Sequence, residues 1–189
     1  MKGVNIFLAD GFEDIEALGT NDVLRRGGVQ TRLISITDDP FVQSSHGITI
    51  GVDETLSEME ISHAGTDAGD VMIFPGGMPG SRSLAACKPL IKAMKEHYAA
   101  GGTLAAICAA PGLVLSQLED CKDLEFTCFD GFENYLIEKG GKFSPKPAVI
   151  CGRIITGRSA GHALSFGLEV LGHLKDDETV EAVRHALYL

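Results

Sequence analysis

The chain has 189 residues, 44% of them hydrophobic and 22% charged, and at this size folding buries roughly 70% of the unfolded chain's surface, so a core needs no metal or cross-link. Sixteen Lys and Arg against 26 Asp and Glu leave a formal charge of -10, which repels phosphate backbones and anionic lipid and argues against nucleic-acid and membrane partners. Five cysteines, an odd number without paired spacing, read as reduced thiols, and with no signal-peptide core in Val4–Ala9 and Leu104–Leu115 broken by Pro111 the expectation is one soluble cytoplasmic domain over 1–189.

Strand-type runs alternate with helix-type stretches throughout, which predicts an α/β fold built on a mostly parallel sheet. Gly3–Ala9 reads as a buried strand. Glu13–Arg26 is a helix with acids in its first turn and arginines in its last, ended by Gly27-Gly28. Val29–Ile36 is the second strand, and Phe41–Gln43 with Ile48–Val52, flanking Ser44–Gly47, makes a small hairpin appended to the main sheet. Asp70–Phe74 is a strand, Leu84–Ala100 a helix, Thr103–Ile107 a strand and Pro111–Leu118 a helix with proline in its first turn. Glu125–Cys128 and Ala148–Cys151 carry weaker strand signals. Ile154–Thr156 leads into a long helix, Ser159–Leu174, with Ser159 as its cap, and Glu178–Tyr188 is the last helix.

Parallel strands joined by right-handed crossovers point the same way, so the turns after them gather along one edge, where ligands bind. Those turns are Asp10–Glu16, Pro75–Gly80, Cys108–Pro111 and Gly157–His162. Cys108 ends a strand just before a helix, the geometry that exposes a nucleophile on a sharp elbow, and N–H groups of the following turn would stabilise its thiolate. A free cysteine also serves as a small core hydrophobe, and Cys87, Cys121, Cys128 and Cys151, which lack the elbow context, read as structural or merely oxidisable. At about 100° per residue, Phe12, Glu16, Gly19 and Val23 share one helical stripe, so a carboxylate lies on the apolar face. Burial and a neighbouring thiolate would keep Glu16 protonated and donating to Cys108, although its long stem also permits its head to reach water. Gly76-Gly77 can bring backbone N–H groups to an oxyanion or simply form a tight turn. Glu13 and Asp14 read as helix-start charges. His46 and His162 are the reachable bases for a thiol, with solvated or helix-packing roles as the alternative. No Cys-x-x-Cys, His-x-x-x-His, P-loop or dinucleotide spacing occurs, so no metal is expected.

Four segments in order, Phe12-Glu13-Asp14-Ile15-Glu16-Ala17, Phe74-Pro75-Gly76-Gly77, Ala105-Ala106-Ile107-Cys108-Ala109-Ala110-Pro111 and Thr156-Gly157-Arg158-Ser159-Ala160-Gly161, resemble the motifs of the ThiJ/PfpI superfamily, in its branch of parkinsonism-associated deglycases and bacterial relatives. The resemblance spans nearly the whole chain. It implies a flavodoxin-like three-layer sandwich, usually a homodimer, with Cys108 as the reactive thiol, Glu16 as its protonated partner and Gly76, Gly77 and Ala109 as backbone donors. It also implies a cofactor-free glyoxalase or deglycase acting on methylglyoxal or related α-oxoaldehydes, with oxidation sensing and chaperone-like behaviour through Cys108 as the alternative. Protease-like members carry a histidine right after the thiol, where Ala109 stands here, so an amidase or protease reading lacks its base. Two departures bear on proton transfer: Thr127-Cys128-Phe129 occupies a segment where relatives often place a histidine, and His46 a position where many carry arginine. Cys128 could then form a disulfide with Cys108, and Arg158 is a further accessory candidate.

Overall fold

The computed structural model describes residues 1–189. Val4–Leu8 (β1), buried at every position, leads through Asp14–Arg26 (α1) to Thr31–Ser35 (β2). Phe41–Gln43 (β3) and Thr49–Gly51 (β4) form the hairpin, and Glu54–Thr55 (β5) returns to the main sheet. Val71–Phe74 (β6) is followed by Gly80–Ala86 (α2) and Lys88–Ala99 (α3), and Thr103–Ile107 (β7) by Ala110–Leu113 (α4). Glu125–Phe126 (β8), Asn134–Ile137 (α5) and Lys142–Phe143 (β9) make a side unit. Ala148–Cys151 (β10), Ile154–Gly157 (β11), Ala163–Leu174 (α6) and Asp177–Ala186 (α7) close the chain.

The main sheet runs β10-β11-β7-β6-β1-β2-β5, parallel throughout except for the antiparallel β10–β11 pair at one edge. Alternation along each strand divides the core in two. Phe7, Met72, Phe74, Leu104 and Ala106 face Leu84, Leu90 and Met94 of α2 and α3. Ile6, Leu8, Ile73, Ala105 and Ile107 face Val23 and Leu24 of α1 and Phe166 and Leu171 of α6. From β1 the chain steps outward to β2 and then crosses back to β6, so the strand order reverses between β1 and β6. In open α/β sheets that reversal leaves a crevice at the strands' carboxyl ends.

Several boundaries differ from the expectation. Leu84–Ala100 is two helices, because Cys87 is extended (φ -75°, ψ 91°) and Pro89 begins a new first turn; in one continuous helix its ring would strike the carbonyl of Ala85. Pro111–Leu118 is one α-turn and a 3-10 turn at Leu115–Gln117. Ser159 does not cap α6: its Oγ pairs with His162 Nδ1 at 3.2 Å, and a 3-10 turn, Ala160–His162, intervenes. The last helix begins earlier, at Asp177, where the Asp176 side chain accepts from the Thr179 N–H. The hairpin is a sheet of its own, tied to the chain after β1 by the Phe12–Ser44 bridge and by the Gln43 N–H on Asp10 Oδ1 at 2.9 Å.

Candidate active site

Cys108 follows β7 with φ +66°, a left-handed conformation that a residue with a Cβ adopts only where its surroundings impose it. Here they do. Its N–H donates to the Gly157 carbonyl at 3.0 Å, and its own carbonyl accepts from the Phe129 N–H at 2.8 Å. The end of β11 and the segment after β8 therefore hold the elbow from two sides.

Glu16 lies in the first turn of α1. That helix starts where the Glu13 carboxylate accepts the Glu16 N–H at 2.7 Å, satisfying a donor that a helix start leaves free. The Glu16 side chain is 1% exposed. Its Oε2 accepts from the Gly76 N–H at 2.8 Å, while Oε1 has no hydrogen-bond partner. A Cβ on Gly76 would stand 2.5 Å from the Cys108 Cβ and 3.0 Å from its Sγ, and would also collide with Glu16 Oε2. Only glycine lets turn, thiol and carboxyl meet. At Gly77, φ is +89°, and a Cβ would run into the backbone of Gly11 and Phe12. The turn after β6 is thus pressed onto the turn after β1, bolted by the Glu13 N–H to Gly76 carbonyl bond of 3.0 Å.

Burial pushes the Glu16 carboxyl up to about 7, against the pull of the Cys108 thiol and the Gly76 N–H. For Cys108, burial first and then the Glu16 carboxylate push the thiol up to about 12, while the Ala109 and Gly77 N–H groups draw it down. Stabilisation of the thiolate by the turn is therefore present but outweighed. Thiol and carboxyl titrate as a pair, and its first proton leaves near 7, the value at which Glu16 ionises. With Glu16 protonated, the repulsion that raises the thiol is gone. Because the Gly76 N–H is engaged by Glu16, the donors left beside the sulfur are those of Gly77 and Ala109.

The other candidates have partners of their own. His46 is exposed, its Nδ1 2.7 Å from Asp14 Oδ2, and Ser44 Oγ donates to Asp14 Oδ1 at 2.6 Å. Asp14, read as a helix-start charge, is thus also the strap that holds the hairpin to α1. His162 pairs with Ser159. Arg158 reaches the Asp130 carboxylate with Nη2 at 2.7 Å and lies over the Phe143 ring at 5.5 Å. Cys128 is fully buried in the core layer of Phe126 and Leu136, whereas Cys108 packs against the opposite layer; both thiols are free. Glu13, Asp14 and His46 bring ligand-type atoms within 4.8 Å of one another, but the helix cap, Ser44 and the ion pair already use them. No helix is long and apolar enough to cross a membrane.

A flavodoxin-like α/β sheet with a left-handed cysteine at a strand end and a buried carboxyl across from it defines a class of proteins. The chain belongs to the DJ-1/PfpI family, whose pattern matches residues 2–173. It is 32% identical over 188 residues to Protein DJ-1 homolog B of Arabidopsis thaliana, covering 100% of this chain and 42% of that protein. The chain therefore spans less than half of that relative's length. It is 30% identical over 177 residues to the Glutathione-independent glyoxalase DJR-1.2 of Caenorhabditis elegans, covering 94% of this chain and 90% of the relative. A crystal structure of a DJ-1 superfamily protein from Salmonella typhimurium, a cysteine-to-alanine mutant, superposes with TM-score 0.88 at 31% identity, covering 100% of this chain and 98% of that one.

Proposed function

We propose that the chain is a cofactor-free enzyme that converts methylglyoxal or a related α-oxoaldehyde to the 2-hydroxy acid, with Cys108 as nucleophile and Glu16 as proton shuttle. The observation that carries this reading is the contact in which Gly76 brings a buried carboxyl, titrating near neutrality, against the thiol. The glyoxalase name of the C. elegans relative supports it. As sulfur bonds to the aldehyde carbon, the thiol proton passes to Glu16 and the Gly77 and Ala109 N–H groups hold the oxyanion of the hemithioacetal. Glu16 returns that proton to the oxyanion and, ionised again, takes the proton from the former aldehyde carbon and delivers it to the neighbouring carbon while the hydroxyl proton passes from the first oxygen to the second, so that the first carbon is oxidised to a thioester and the second reduced to an alcohol. Water cleaves the thioester, the thiol returns, and methylglyoxal plus water has become lactate with no outside electrons.

Lactate formation by the purified protein tests this. Cys108→Ala and Glu16→Gln are each expected to lose about a hundredfold or more in turnover. Wild-type protein that forms neither lactate from methylglyoxal nor the 2-hydroxy acid from a related α-oxoaldehyde, or activity that survives Cys108→Ala, overturns the reading. A redox sensor acting through Cys108 oxidation uses the same thiol but forms no lactate. We also propose that residues 1–189 act as a single domain within a homodimer; sedimentation equilibrium at micromolar concentration would give twice the chain mass.

A further inference from the structure

We infer that Phe129 and Met78 form an apolar rim over the Cys108 site that favours α-oxoaldehydes bearing an aryl or extended alkyl substituent over methylglyoxal. The inference rests on the reading of Cys108 as nucleophile.

The two loops that lean on Cys108 each carry a large apolar side chain left in water. Phe129 is 47% exposed and Met78 39%. The Phe129 N–H is the donor on the Cys108 carbonyl, and Met78 follows Gly77, whose N–H acts on the sulfur. Their exposure is imposed by the backbone. Cys128 takes the inward place in its segment and fills the core beside Phe126. On either side the chain is held, by the Thr127 N–H to Thr156 Oγ1 at 2.9 Å and by Asp130 on Arg158 at 2.7 Å, and Phe129 between them stays outside the core. Met78 lies between Gly77 and Gly80, both pressed onto the Gly11–Phe12 backbone.

A substrate held through its aldehyde carbon on sulfur and its oxygen on the Gly77 and Ala109 N–H groups has only its substituent left to meet the rim. A methyl group is small beside that surface. An aryl or longer alkyl group would displace water from the ring and from the thioether, whose flexible stem adapts to irregular shapes. The formal charge of -10 works against an anionic tail.

Two ratios test the inference on the full chain. The first compares alkylation of Cys108 by N-benzyliodoacetamide and by iodoacetamide, read by mass spectrometry. The second compares kcat/KM for phenylglyoxal, giving mandelate, with that for methylglyoxal, giving lactate. Each aryl-to-small ratio, taken relative to the same pair of reagents acting on a free small thiol or at saturating base, is expected near tenfold or more. It falls severalfold in Phe129→Ala and Met78→Ala, approaches one in the double variant, and is kept by Phe129→Tyr. Both reagents act on the same sample, so loss of folded protein cancels. A wild-type ratio near one, or a ratio that survives the double variant, overturns the rim. An alkylation ratio that behaves as expected while neither aldehyde is consumed supports the rim and removes the glyoxalase reading instead.

Discussion

Glu16 has one oxygen on the Gly76 N–H and the other without a partner, in a place that water does not reach. Its charge is costly there, and the nearest group able to share a proton is the Cys108 thiol. Alkylation of Cys108 should therefore rise with pH through an inflection near 7, where the pair loses its first proton. Glu16→Gln removes the acceptor and leaves a buried thiol to ionise alone, so the inflection should move above 9; an unmoved inflection would show that the two groups are not coupled. Gly76→Ala forces a methyl group onto the Cys108 Cβ and Sγ and should lower turnover about a hundredfold even in protein that folds. Glu16 and Cys108 were legible because each breaks a local rule: a carboxylate in an apolar helical stripe, and a thiol between small residues at a strand end. Phe129 breaks none, because in a segment without regular structure no periodicity tells an exposed ring from a buried one.

Among the secondary elements, α1 does most to place the site, and its start is set by an unusual cap. Ser, Thr, Asp and Asn are the usual caps, yet here the longer Glu13 reaches the Glu16 N–H. Glu13→Ala should cost about 1 kcal/mol and lower Tm by roughly 2–4 °C for a chain of this size; an unchanged melting curve would show that the cap contributes nothing. The helix itself was readable from its acidic first turn, its last-turn arginines and Gly27-Gly28. The division of the next stretch at Cys87 was not, because apolar spacing continues across Pro89 and a proline in a first turn looks the same in sequence as one that ends a preceding helix. Ser159 misled for a related reason: its residue type suits a cap, but its hydroxyl is taken by His162.

Across the fold, two buried groups oppose each other in pH. Burial lowers His97 to about 4, helped by the nearby chain-terminal amine, so from pH 6.5 down to 4 the unfolded chain binds the proton first and stability falls as pH falls. Burial raises Glu16 from 4.5 to about 7, so over that window the folded chain keeps the proton longer and stability falls as pH rises. Each shift is worth roughly 3 kcal/mol, and between about 5 and 6.5 the two slopes offset each other. Urea unfolding of Glu16→Gln should consequently show a gain over wild type that grows from pH 5 to pH 8, toward roughly 3 kcal/mol. A difference that stays constant with pH would mean that Glu16 is not buried in the folded protein.

Local pattern alone settles the alternation of strands and helices, the strand-end position of Cys108 and the apolar-face position of Glu16, because each depends on neighbours a few residues away. The meeting of Glu16 with Gly76, sixty residues on, and of Cys108 with Gly157 and Phe129 depends on the reversal of strand order between β1 and β6 and on the packing of β11 beside β7. Such contacts follow from which strands pair and at what register. Those choices are made by burial summed over both core layers, and no short stretch of residues carries that sum.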